Sequence, residues 1–126
     1  MKYILTAAFS VALAGAAWAA DPVEGVWASP VNDDGASIEV TIAPCGAEFC
    51  GVITKVKGGD QSSQGERMLW GMKAAGGGSY SGGKVWAPDD DKTYRGKLAL
   101  SGNSLKISGC VLGGAVCRGE TFTRVK

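Results

Sequence analysis

The sequence predicts a small all-β domain, a barrel or a sandwich, closed by two hairpin disulfides. Three observations carry this. Short runs of alternating apolar and polar residues recur along the chain. Clusters of glycine, asparagine and aspartate separate them at regular intervals. The four cysteines fall in two close pairs, Cys45 with Cys50 and Cys110 with Cys117.

The chain starts with a short basic segment, Met1-Lys2, followed by an apolar run from Tyr3 to Ala16 interrupted only by Thr6 and Ser10. Ala17-Trp18-Ala19 then supplies small residues where a signal peptidase reads, so residues 1–19 are expected to be a cleaved export signal. The run is shorter than the ~20 residues a bilayer span requires, and no cysteine follows the cut to carry a lipid. Residues 20–126 are then one domain with a single core, periplasmic or secreted and with no stable membrane anchor. The whole chain has 13 Lys and Arg against 12 Asp and Glu. Loss of Lys2 with the signal leaves the mature chain formally neutral. No basic block is present, so a nucleic-acid partner has no electrostatic footprint in the sequence.

The strands are expected in the following order. Glu24–Ser29 carries Val26 and Trp27. Ser37–Ala43 alternates, with Ile38, Val40 and Ile42 on one face and Glu39 and Thr41 on the other. Cys50–Lys57 holds Val52, Ile53 and Val56. Lys84–Ala87 holds Val85 and Trp86. Thr93–Leu100 sets Tyr94, Leu98 and Leu100 against Arg95 and Lys97. Leu105–Gly109 sets Leu105 and Ile107 against Lys106 and Ser108, and Cys117–Val125 contains Phe122. Turns fall at Asn32–Gly35, Asp89–Asp91 and Ser101–Asn103. Residues 58–83 break the rhythm. They are rich in glycine and serine around an apolar island, Met68–Met72, which fits one helical turn or a short strand. The segment is expected either to gate a cavity or to plug a small barrel.

Four cysteines allow three pairings. The local pairing is favoured because opposite residues at a hairpin neck bring their Cα atoms to ~5.5 Å or less, which suits a disulfide. The spacings fit no common zinc site, and neither pair is a Cys-x-x-Cys redox motif. Other chemistry meets similar objections. Gly78–Lys84 has the spacing of a phosphate loop, but Val85 stands where a hydroxyl must follow and a strand rather than a helix comes next. An EF-hand loop counted from Asp89 puts Tyr94 at its obligatory glycine and Leu100 at its closing glutamate. The chain has no histidine, so a serine nucleophile would lack its usual base. No pair of carboxylates is singled out for glycoside hydrolysis. The reading is a non-enzyme with no metal and no cofactor.

Gly25-Val26-Trp27 near the start and Arg124 near the end resemble the closing pair of lipocalin-like (calycin) barrels, where an indole packs under an arginine. A longer set of residues resembles the exported bacterial family catalogued as domain of unknown function 2147. These are Ile42-Ala43-Pro44-Cys45-Gly46, Cys50-Gly51, Gly82-Gly83-Lys84-Val85-Trp86-Ala87-Pro88, Lys92-Thr93-Tyr94, Gly109-Cys110, Cys117-Arg118 and Phe122-Thr123-Arg124-Val125. The resemblance spans nearly all of residues 22–126. It implies an antiparallel up-and-down barrel of about eight strands, with Trp27, Arg124 and the four cysteines as structural residues and no catalytic residue. Two positions depart from the family pattern. Asp91 stands where a turn glycine is usual, and Phe122 stands where tryptophan is usual.

Two functions follow as expectations. In the first, a small apolar molecule occupies the barrel, lined by Val40, Ile42, Val52, Trp86, Tyr94 and Leu98 and gated by Met68–Met72, with Met68 and Met72 on the lining. In the second, the barrel is filled and acts through its outer face as an envelope accessory or protein-interaction module. An apolar pocket of ~300 Å³ or more distinguishes the first from the second.

Overall fold

The computed structural model describes residues 20–126. The export signal expected over residues 1–19 lies outside the described residues. Eight antiparallel strands follow one another around a closed barrel. They are β1 (Gly25–Ala28), β2 (Ser37–Cys45), β3 (Glu48–Lys57), β4 (Arg67–Gly76), β5 (Ser79–Ala87), β6 (Lys92–Ser101), β7 (Ser104–Val111) and β8 (Val116–Arg124). Each pairs with its neighbours in sequence, and β1 closes the ring by pairing Trp27 with Arg124 and Ala28 with Thr123 on β8. The expected alternation places Val40, Ile42, Leu98, Leu105 and Ile107 in the interior, each at most 4% exposed.

Residues 58–83 contain no helix. Most of the segment is barrel wall: it supplies all of β4, the first half of β5 and the glycine turn between them. Two register shifts explain why the apolar island reads as helical spacing. Leu69 pairs with Gly51 and Met72 with Phe49, so Trp70 and Gly71 together oppose Cys50. Gly71 is left-handed there, with φ of 70°, the conformation of an extra residue in a bulged strand. A second irregularity at Met68 brings Met68, Leu69 and Met72 all to the buried side. Trp70 pairs with Lys84 across the outer wall, half-buried, with the Arg67 guanidinium 4.5 Å from its ring centroid. The remaining loop, residues 58–66, is fastened to β3. Ile53 N–H donates to the Glu66 carbonyl at 2.9 Å, and Gly65 N–H donates to the Ile53 carbonyl at 2.7 Å.

The disulfides are Cys45–Cys50 and Cys110–Cys117. Cys110 and Cys117 are direct cross-strand partners. The first bridge runs diagonally: Cys45 pairs with Glu48 and Cys50 with Ala43. Because the strands run up and down, one bridge lies at each end of the barrel.

One end is packed solid. Trp27 is fully buried, and its indole N–H donates to the Val23 carbonyl at 2.9 Å. The Arg124 guanidinium lies 4.3 Å from the Trp27 ring centroid, a cation over an aromatic face. Gly25, two residues before Trp27, is required by space. A Cβ at this position (φ 138°) would collide with the Lys126 carbonyl and press on Arg124 Nη1. Val40, Ile42, Ile53, Leu69, Met72, Leu98 and Leu105 fill the layer above the indole. Gly96 belongs to the same layer, where a Cβ would strike Met72 Cε and Val85 Cγ2. Phe49 and Tyr80 stack edge-to-face at 5.7 Å on this side.

Candidate functional site

The opposite end of the barrel is hollow. Strand register sets which side chains reach it. Ile107 pairs with Glu120 and Leu105 with Phe122, and directly opposed residues share a face. Glu120 and Arg118 therefore sit on the inward register of β8, two and four residues before buried Phe122. Ile38 and Val56 enter the same space as partners across β2 and β3. Met68, Val85 and Tyr94 enter it from β4, β5 and β6. The result is an open cup of about 1160 Å³, apolar below and polar at the mouth. Its lower wall includes Ile107, Phe122, Val85 and Met68. Its mouth carries Asp60, Glu66, Asp89, Asp90, Asp91 and a single arginine, Arg118, while Glu120 stands lower, across from Ile107.

Two aromatic side chains at the mouth are fixed by the turn between β5 and β6. Trp86 Nε1–H donates to Asp91 Oδ1 at 2.8 Å. Tyr94 O–H donates to Asp90 Oδ2 at 2.6 Å, while Asp90 Oδ1 takes the Lys92 N–H at 3.1 Å. Asp91 is left-handed, with φ of 54°. The usual glycine would adopt this conformation more easily, but it could not hold the indole. The bond to Asp90 pushes the Tyr94 phenol above its ordinary pKa, with smaller contributions from desolvation and from the charges of Asp90 and Asp89, which the nearby Arg118 opposes. Both rings therefore present fixed faces, and the Tyr94 hydroxyl stays protonated through neutral pH. This arrangement can hold a molecule that is apolar along its body and polar at one end.

The lining expected from the sequence divides in three. Met68, Trp86 and Tyr94 stand on the cup. Val40, Ile42, Met72 and Leu98 are buried in the packed layer beneath it. Val52 is a correction: it stands half-buried opposite Thr41, and its neighbours Gly51 and Ile53 point inward. Val52 and Ile53 are adjacent apolar residues, so only the pairing register determines which one faces in. Ile107, Phe122, Asp90, Asp91, Arg118 and Glu120 were not anticipated at the site. The signal for β8 was present in the sequence, because Arg118 and Glu120 keep the two-residue phase of Phe122.

Comparison with known proteins places the fold and the family. The family model described as "Uncharacterized protein conserved in bacteria (DUF2147)" matches residues 25–124. No curated protein matches the chain. Among solved structures, protein HP1028 from the human pathogen Helicobacter pylori, which belongs to the lipocalin family, superposes with a TM-score of 0.65. It is 18% identical, over 86% of this chain and 85% of that one.

Proposed function

Since the chain belongs to this conserved bacterial family, whose members share no established activity, we propose from its cup that it is a non-catalytic carrier or sensor of a small amphipathic molecule, acting outside the cytoplasm. The observation that supports this is the half-hollow barrel. A cup of about 1160 Å³ with an apolar floor of Ile107, Phe122, Val85 and Met68 exceeds the space a packed barrel leaves. The apolar body of the ligand lies against that floor and between Trp86 and Tyr94. Its polar end meets the carboxylates and Arg118 at the mouth. The lipocalin-like architecture agrees with small-ligand binding. The two disulfides suit an oxidising compartment such as the periplasm.

The test is native mass spectrometry of protein recovered from its own extracytoplasmic space, paired with displacement of a fluorescent apolar probe from the cup. A co-purifying mass that competes with the probe is the expected result. Bare protein under several growth conditions, together with no saturable probe binding, would refute the proposal.

A further inference from the structure

Gly82-Gly83-Lys84 ends the glycine-rich stretch that fails as a nucleotide phosphate loop. In the barrel these residues sit on β5 at a register shift: Tyr80 pairs with Leu98 and Gly83 with Gly96, so Ser81 and Gly82 together oppose Lys97. Gly82 is left-handed, with φ of 86°, and a Cβ there would meet nothing within 4 Å. The irregular strand leaves a groove of about 420 Å³ on the outside of the wall, separate from the cup.

The charges around this groove all have the same sign. Lys84 and Arg95 are direct cross-strand partners, and Lys97 follows Arg95 two residues along the same face of β6. All three are exposed and line the groove together with Ser81, and no carboxylate lines it. Among the described residues the ion pairs are Lys57–Glu39 and Lys73–Glu48, and neither involves these three cations. Like charges directly opposite one another destabilise a strand pair. Among the described residues none of the three cations has a carboxylate within ion-pair distance, so a bound anion would relieve that repulsion. The sequence hides the cluster because its members are spread over 14 residues with Asp89–Asp91 between them.

We propose that this outer groove binds a phosphate-bearing anion, with Lys84, Arg95 and Lys97 supplying the charge and the exposed, side-chain-free backbone at Gly82 allowing close approach. Guanidinium and ammonium groups are the usual partners of phosphate oxygens. A soluble ester and a lipid headgroup at a membrane surface both present this phosphate chemistry, and the test separates them.

The full-length exported protein, with its disulfides formed, is labelled with ¹⁵N and titrated with pyrophosphate at about 0.15 M salt, where non-specific attraction is largely screened. In parallel it is sedimented with vesicles of phosphatidylglycerol and of phosphatidylcholine. The expected result is saturable movement of the Gly82, Gly83, Lys84 and Lys97 amides, or retention on phosphatidylglycerol vesicles alone. K84Q/R95Q should weaken either response about ten-fold or more. K55Q/K106Q, which removes the same charge from elsewhere on the outer wall, should leave it unchanged. Pyrophosphate alone acting marks a soluble ester as the ligand, and vesicles alone mark a headgroup. No response in either arm, or equal loss in both variants, overturns the proposal. The ¹⁵N spectrum of each variant reports its folding directly.

Discussion

Arg124 uses every nitrogen of its guanidinium at the barrel base. Nε–H donates to Asn103 Oδ1 at 3.2 Å, Nη1–H to the Glu24 carbonyl at 3.1 Å and Nη2–H to the Pro22 carbonyl at 2.5 Å, while the plane covers Trp27. A lysine would keep the charge but lose the fork and the stacking. Nearby, Tyr80 donates its hydroxyl to Asp21 Oδ1, which also takes the Val23 N–H at 2.9 Å. Burial, followed by that hydrogen bond and the Asp21 charge, pushes the Tyr80 phenol far above its ordinary value. The sign of the linkage follows. A raised folded pKa stabilises the fold below the unfolded value, ~10 for tyrosine, and that stabilisation is lost as pH rises through the folded value. In a Tyr94→Phe background, absorbance at 295 nm should therefore show Tyr80 ionising only well above pH ~10 or together with unfolding. Asp21→Asn should bring the ionisation closer to that of a free phenol. A phenol that titrates near pH ~10 in the intact barrel of the Tyr94→Phe protein would contradict this account.

At the scale of elements, β4 shows how a single residue sets the wall. Gly71, left-handed at φ 70°, lets Trp70 point outward while Leu69 and Met72 both turn inward. Substituting alanine imposes the left-handed penalty of about 1–2 kcal/mol on an L-residue. Its Cβ would also lie 3.3 Å from Gly83 Cα. Gly71→Ala should therefore lower the unfolding free energy by about 1–2 kcal/mol or more in urea, and a change within experimental error would mean the bulge is absent. The same strand marks the limit of what the sequence revealed. β2, β6 and β7 were legible because one apolar residue in two faces the core, and Asp91 was recognised as standing in a glycine turn. Bulges erase that period. Met68, Leu69 and Met72 look helical, and the choice between Val52 and Ile53 is settled only by pairing with β2. The cup was legible only in part: its apolar wall largely follows the alternation, while the bonds from Asp90 and Asp91 to Tyr94 and Trp86 are made inside the β5–β6 turn, where no alternation signals them.

At the scale of the molecule, the barrel is filled at one end and hollow at the other, and Phe122 lies at the junction. It is 1% exposed, yet its ring also forms part of the cup floor. This gives a direct test of the hollow half. In a fully packed core, enlarging a buried ring forces strain costing about 1–3 kcal/mol. Above an open cup, the extra ring atoms of Phe122→Trp have space, and the added apolar contact offsets the reorganisation. The variant should unfold within about 1 kcal/mol of the parent in urea and should bind an apolar fluorophore more weakly, because the indole occupies part of the floor. The Trp27–Arg124 closure, on the neighbouring strand pair, should be untouched, and the near-ultraviolet dichroism of the base should persist. A loss of about 3 kcal/mol with unchanged fluorophore binding would mean that the ring sits in solid core and that any ligand binds elsewhere than in the cup.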